Sequence, residues 1–376
     1  MNIGILCYPT YGGSGVVATE LGKSLATKGH TVHFITYAMP LRLEKFQDNI
    51  FFHEVEVPHY PLFDFQSYDI ALAGKIVDVA RFARLDVVHA HYAIPHSISA
   101  YLANNAVHNI SKRFKVVTTL HGTDITLVGV ERNLKPLVRL SIEQSHAVTA
   151  VSEYLRNQTY ENLSINTPID VIPNFIDPTV YSKVPCEKVK RIFGTDCKNV
   201  LIHVSNFRPV KRVLDTIHIL KKVRETVNAQ LILVGDGPDR TNAERLTREL
   251  GLEENVLFLG KQSALPELLS SARVFLLPSG EESFGLSALE AMSCEIPVVG
   301  SNIGGISEVV THGRNGYLAP MGDIDSMAAY VLTLLQDDKM YETFSQNARE
   351  DSIKRFHIDS VVSMYENLYT RVVEQQ

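Results

Sequence analysis

Short β-branched runs alternate with longer amphipathic stretches along almost the whole chain, and this alternation constrains the fold more than any other feature. A strand, a helical stretch and a second strand read as a βαβ unit, and repeated units read as a parallel sheet covered by helices. The runs lie near Asn2–Cys7, Thr31–Thr36, Phe51–Glu56, Asp86–Ala90, Lys115–Leu120 and Ala147–Val151. They resume near Ile169–Ile172, Val200–Val204, Gln230–Val234, Asn255–Leu259, Arg273–Leu277 and Pro297–Gly300. Two groups of six predict two doubly wound parallel sheets, and 376 residues suit two domains at roughly 150 residues each.

Pro168, Pro173, Pro178 and Pro185 interrupt any helix over Ser164–Asp196, which makes that stretch the joint. The expected division is residues 1–165, residues 166–355 and a final helix over 356–376. In that tail Val361, Tyr365, Leu368 and Val372 recur at helical spacing. The helix must therefore bury an apolar stripe, either on its own domain or by crossing back to the first.

Composition narrows the function classes. Thirty-six basic against forty-two acidic residues give a net charge of 36 − 42 = −6, so no domain-wide basic excess marks a nucleic-acid binder. Cys7, Cys186, Cys197 and Cys294 lie far apart with no C-x-x-C pair, which excludes a disulfide scaffold or zinc ribbon and fits a reducing compartment. No apolar run reaches the roughly 18 residues of a membrane span. The start, Met1-Asn2-Ile3-Gly4-Ile5-Leu6-Cys7, lacks a basic leader and reads as a first strand. A cytoplasmic location is expected, and a homo-oligomer stays open.

Two such sheets facing across a cleft would bind a ligand at the carboxyl ends of their strands. Three strand-end loops stand out. Tyr11-Gly12-Gly13-Ser14-Gly15-Val16-Val17-Ala18 follows the first strand and opens a helix, so its backbone N–H groups suit an anion. Gly13-x-Gly15-x-x-Ala18 matches a loose dinucleotide fingerprint, but the second strand ends Thr36-Tyr37-Ala38 without the carboxylate that would hold a ribose. A phosphate loop and a structural turn both remain. Ser279-Gly280-Glu281-Glu282-Ser283-Phe284-Gly285-Leu286-Ser287-Ala288-Leu289-Glu290 places Ser283 as a helix cap before a buried segment. Glu282 and Glu290 stand little more than two helical turns apart, and a carboxylate among Leu289, Ala291 and Met292 needs partners. Val204-Ser205-Asn206-Phe207-Arg208-Pro209-Val210-Lys211-Arg212 gathers three cations at a strand end, suited either to a pyrophosphate or to solvent.

Glu282-x7-Glu290, Gly12-Gly13, Lys211 and Gly235-Asp236-Gly237-Pro238 together resemble the retaining GT-B glycosyltransferases of family four, a likeness that spans the whole chain. Pro173-Asn174-Phe175-Ile176-Asp177 at the joint and Arg355-Phe356 near the end extend it. The resemblance implies an α/β GT-B fold of two Rossmann-like domains facing across a cleft. It implies Glu290 on the ribose hydroxyls and Glu282 on the donor sugar. Phe284, Gly285, Leu286 and Ser287 would hold the diphosphate with Gly13, Gly15, Arg208 and Lys211, and His121 would face the sugar. His121, Lys211 and Glu282 are thus the implied catalytic residues. The strings His203–Arg212 and Tyr8–Gly15 are similar to those of members that move N-acetylglucosamine from UDP-N-acetylglucosamine to the hydroxyl of L-malate, the first step of bacillithiol biosynthesis. For the acceptor the resemblance points to Tyr92, Thr118, Arg139 and Asn206. Many relatives carry an arginine where Asn206 stands, and a glycine where Phe175 stands; the first change removes one diphosphate cation, which Arg208 could replace. No metal or other cofactor is implied, since the leaving phosphate takes the acceptor proton on the same face. Family-four transfer to another acceptor, a UDP-N-acetylglucosamine 2-epimerase and a non-catalytic sugar-nucleotide binder are the alternatives.

Two other signals are weaker. His89-x-His91, followed by His96, puts two rings on one strand face, but no carboxylates accompany them, so a histidine pair lining the cleft is expected rather than a metal site. Asp323-x-Asp325 is expected to start a surface helix. Cys7 reads as an inert core residue.

Overall fold

A computed structural model describes residues 1–10, 12–43, 46–57, 67–107, 113–126, 131–185 and 199–375. The chain divides into two compact units: Met1–Asn174 with Asp359–Gln376, and Phe175–Ile358.

The first unit holds a seven-stranded sheet. Its strands are β1 (Asn2–Leu6), β2 (Thr31–Thr36), β3 (Ile50–Glu54), β4 (Val87–His91), β5 (Lys115–Leu120), β6 (Ala147–Ala150) and β7 (Ile169–Val171). They lie in the order β3-β2-β1-β4-β5-β6-β7. The second unit holds β8 (Val200–Val204), β9 (Gln230–Val234), β10 (Val256–Gly260), β11 (Val274–Leu277), β12 (Val298–Ser301) and β13 (Gly316–Ala319), in the order β10-β9-β8-β11-β12-β13. Every described pairing is parallel. Parallel strands are covered on both faces, which is why β1, β4, β8 and β11 are almost wholly buried and why β8 and β11 read as near-continuous apolar runs.

In each sheet the strand order reverses once, between β1 and β4 and between β8 and β11. Loops leaving two such neighbours diverge to opposite faces and open a crevice at the strand ends, the usual ligand position in this class. The glycine loop and Tyr92 leave β1 and β4; the Asn206–Lys211 turn and Glu282 leave β8 and β11.

Two expectations are corrected. The run at Ile169 belongs to the first sheet, because Val148, Thr149 and Ala150 of β6 pair with Ile169, Asp170 and Val171. The first unit therefore extends to Asn174 rather than to residue 165, and residues 186–196 of the expected joint lie outside the described residues. The second sheet also gains β13, whose Gly316 lets the backbone approach β12: a Cβ there would meet Val298 O at 2.4 Å.

The final helix, Ile358–Glu374, groups with the first unit from Asp359 onward. Val361, Tyr365, Leu368 and Val372 are buried. The Tyr369 hydroxyl lies 2.7 Å from His89 Nδ1, and Lys28 Nζ donates to Glu366 Oε2 at 2.6 Å. Asp323 caps its helix by accepting from Ser326 N. Cys7 is buried, and burial pushes its thiol up to about 12. No helix among the described residues is long and apolar enough to cross a membrane.

Candidate active site

In the second unit two strand-end loops are laced to each other. After β8 the chain turns sharply at Phe207, where φ is +41° and the ring is fully buried. Behind this turn sits the Gly235–Gly237 segment. A Cβ on Gly235 would lie 1.7 Å from Ser205 O, and one on Gly237 1.9 Å from Asn206 O, so both positions require glycine. His203 Nδ1 donates to Leu276 O at 2.8 Å, and its Nε2 accepts from Ser205 Oγ at 2.8 Å. The turn is thereby fixed to the core strand, with Asn206 exposed and Arg208 half-buried at its tip. Arg212 is engaged by Asp215, at 2.7 Å.

After β11, Gly280 N donates to Val210 O at 2.7 Å, joining the two loops. Lys211 Nζ donates to Glu282 Oε1, and Ser279 Oγ donates to the same oxygen at 3.2 Å. The helix Leu286–Ser293 follows. Its cap is Gly285 at φ +96°, not Ser283, because the left-handed turn into the helix is open to glycine and strained for serine. No side chain caps that end and its first turn holds no acid, so its amides and positive dipole end suit an anion beside Lys211. Phe284 is buried and Ser287 is half-buried. Glu290 is 8% exposed, and Tyr181 OH donates to its Oε1 at 2.5 Å.

In the first unit the loops of interest are those after β1, β4 and β5. The helix Gly13–Thr27 also starts without a side-chain cap or first-turn acid, and Gly13 is exposed. Gly15 has a packing reason to be glycine, since a Cβ would sit 2.3 Å from Tyr8 O. Tyr11 lies outside the described residues. Tyr92 adopts φ +100°, a conformation that strains any side-chain-bearing residue, while its hydroxyl donates to Ser14 Oγ at 2.8 Å. Its ring packs 5.2 Å from that of His121. His121 Nε2 lies 2.9 Å from His91 Nδ1, and burial lowers the His121 pKa to about 3. Asp124 ties these loops by accepting from Ala93 N at 3.1 Å and Gly122 N at 3.0 Å.

Three expected contributors are placed differently from their assigned roles. Thr118 is fully buried within β5, with its hydroxyl shared between Ser97 Oγ and Ser145 Oγ at 2.8 Å each, so it is spent inside the unit rather than offered to an acceptor. His89 and His91 are also fully buried instead of lining an opening. His89 is held by Tyr369 and by Thr119 Oγ1 at 2.7 Å. Among the described residues no group of His, Cys, Asp or Glu is arranged to hold a metal ion. Arg139, by contrast, is exposed on the helix Lys135–Glu143 and donates to Glu143 Oε1 at 2.8 Å.

Sequence reasoning missed three parts of this architecture. Tyr181 belongs to no motif, and His91 passes for a lining residue. The Gly304-Gly305 pair after β12 is the third: a Cβ on Gly305 would lie 2.2 Å from Ser283 O, and Gly305 N donates to Glu282 O at 2.8 Å. The glycine pair at a strand end is the same signal that marks Gly12-Gly13.

Known proteins are similar to this chain along its whole length. Residues 11–180 match the model of Glycosyltransferase Family 4, and residues 187–351 that of Glycosyl transferases group 1. The chain is 47% identical, over 99% of its length and 97% of the relative's, to N-acetyl-alpha-D-glucosaminyl L-malate synthase of Bacillus anthracis. Sucrose-phosphate synthase of Thermosynechococcus elongatus superposes with a TM-score of 0.82 at 20% identity, covering 100% of both chains. Anabaena HepE, solved with UDP and glucose, superposes with a TM-score of 0.81 at 22% identity over 98% of this chain and 99% of its own. Two Rossmann-like sheets with loops converging at their switch points, and family matches that cover both, show that the chain belongs to the group 1, family 4 glycosyltransferases of the GT-B fold.

Proposed function

We propose that this protein transfers N-acetylglucosamine from UDP-N-acetylglucosamine to the hydroxyl of L-malate with retention of anomeric configuration, the opening step of bacillithiol biosynthesis. The observation that carries the reading is the 47% identity, over nearly the full length of both chains, to N-acetyl-alpha-D-glucosaminyl L-malate synthase of Bacillus anthracis. The site chemistry supports it. As the glycosidic bond breaks, charge develops on the leaving diphosphate, and preorganised donors stabilise it at no further cost in reorganisation. Lys211, Arg208 and the amides of Phe284–Ser287 supply those donors in the second unit, with Gly13 and Gly15 from the first. Glu290, oriented by Tyr181, accepts from the ribose hydroxyls. Glu282, pinned by Lys211 and Ser279, accepts from the sugar hydroxyls, and His121 serves the sugar as well.

Malate is a small dianion. Arg139 is a suitable partner because its present ion pair is an exposed one, cheap to exchange. Tyr92 and Asn206 offer the neutral contacts. Thr118 acts only from behind, through Ser97. The leaving phosphate accepts the malate hydroxyl proton, so neither a carboxylate nucleophile nor a metal takes part.

The test is mass spectrometry of the purified protein incubated with UDP-N-acetylglucosamine and L-malate in EDTA, with proton NMR of the anomeric centre. Glycosylated malate of α configuration with equimolar UDP is the expected result. UDP release to water alone would discard malate, an epimerised donor without acceptor would favour the epimerase, and activity restored only by Mg²⁺ would overturn metal independence.

A further inference from the structure

The histidines beneath the Tyr92 turn hold their protons in positions that follow from their partners. His96 Nδ1 lies 2.6 Å from the His91 carbonyl oxygen. A carbonyl only accepts, so His96 carries its proton on Nδ1 and its Nε2 is bare. Burial lowers the pKa of His91, His96 and His121, so each ring is neutral near pH 7 and carries a single N–H. His91 Nδ1 and His121 Nε2 are 2.9 Å apart, and one of them must donate. Were His121 the donor, His91 would carry its proton on Nε2. That atom is buried with no hydrogen-bond partner among the described residues. His96 Nε2 is equally unpartnered, so it is not the missing acceptor. A buried N–H without an acceptor is costly and rare, whereas a bare buried lone pair is tolerated better.

We propose that His91 donates to His121 and is a positioning residue that fixes His121 in its Nδ1–H tautomer. Ring packing holds the arrangement: Tyr8 lies 4.7 Å from His96, and Tyr92 lies 5.2 Å from His121. His121 then offers its surroundings a hydrogen-bond donor, and its one basic nitrogen is occupied by His91. Resting on the transferase reading for what that donor serves, the assignment makes His121 a donor to a sugar oxygen and excludes it as the base that deprotonates the acceptor alcohol.

The test is long-range proton–nitrogen correlation NMR of the full chain labelled at histidine, with His121→Asn and His91→Asn used for assignment. Protonated and bare ring nitrogens resonate far apart. His121 should show a protonated Nδ1 and a bare Nε2; a proton on Nε2 overturns the proposal whatever the activity. His91→Phe keeps a ring but removes the donor. In it the His121 tautomer should become mixed, and kcat should fall on the order of tenfold or more with the KM for UDP-N-acetylglucosamine within about twofold. His91→Asn places an amide N–H near the lost Nδ1–H and should restore both the tautomer and most of kcat. Unchanged tautomer and kcat in His91→Phe would overturn the positioning role. The assigned tautomer in a wild-type protein that forms no glycosylated malate would sustain the proton assignment and remove the transferase reading instead.

Discussion

The Tyr181 hydroxyl donates to Glu290 Oε1 at 2.5 Å across 109 residues of sequence. Arg349 fixes the backbone on both sides of that bond, donating to Tyr181 O at 2.6 Å and to Ser293 Oγ at 3.0 Å. The carboxylate proposed to meet the ribose is therefore oriented by Tyr181, just past Asn174, where the leading segment of the first unit ends. A hydrogen bond to a charged group contributes about 1.5–3 kcal/mol, so Tyr181→Phe should raise the KM for UDP-N-acetylglucosamine roughly tenfold with kcat little changed. Glu290→Ala should raise it further. An unchanged KM in Tyr181→Phe would show that the bond does not orient Glu290 for the ligand.

Lys211 reaches Glu282 and stands beside the uncapped helix, so it is placed to meet developing phosphate charge. Removing one such donor costs on the order of a hundredfold or more in kcat. Lys211→Ala should show that loss and should also weaken UDP binding measured by calorimetry. Wild-type UDP affinity in Lys211→Ala would place the diphosphate elsewhere.

Among the described residues Arg139 is bound only to Glu143 on the same exposed helix face, a pair that contributes about 0.3–0.5 kcal/mol. Arg139→Ala should therefore leave thermal stability nearly untouched while raising the KM for malate and sparing that for the donor. Equal effects on both substrates would remove Arg139 from the acceptor site.

What could be read from sequence depended on how local the cause was. Strands with β-branched cores, such as β2 and β8, declare themselves in five or six residues. β13 does not, because it opens on Gly316, whose role is set by contact with Val298 on the neighbouring strand. The sheet to which Ile169–Val171 belongs is decided by pairing with β6, which no window along the chain contains. The same division runs through the site. Glu282 and Glu290 are legible from their spacing, but the Tyr181 bond is not. Ser283 resembles a cap by residue type, yet the backbone angle at the helix entrance assigns that place to Gly285. Thr118 sits on a strand buried on both faces, so alternation could not tell an offered hydroxyl from a spent one.

Gly305 has an ordinary helical φ of −74°, so alanine there is opposed only by sterics. Its Cβ would meet Ser283 O at 2.2 Å and displace the loop that carries Glu282. Gly305→Ala should lower kcat/KM about tenfold or more, since small misplacements of positioned groups are costly. Gly74 is the control: it lies inside the helix Tyr68–Ala83 with nothing near its missing Cβ, so Gly74→Ala should stabilise by about 0.5–1 kcal/mol and leave activity alone. Equal losses in both variants would point to general destabilisation instead.

His89, His91, His96 and His203 are fully buried, and burial pushes His89 down to about 3 and His96 and His203 to about 4, with His91 well below its ordinary value. An unfolded histidine titrates near 6.5, so between pH 6.5 and about 4 the unfolded chain binds protons that the fold excludes. Stability is then full above pH 6.5 and falls as pH drops, by about 1.4 kcal/mol per pH unit for each such group. Asp124 works the other way: burial raises its carboxyl to about 6, so the folded state takes up that proton first and offsets part of the loss. Three of the four histidines belong to the first unit and one to the second, so the first unit should open at the higher pH. Hydrogen-exchange mass spectrometry from pH 7 to 4.5, corrected for intrinsic exchange, should show protection lost first in β1, β4 and β5. Simultaneous loss in both units, or protection unchanged to pH 4.5, would show that the buried imidazoles do not set the acid limit of the fold.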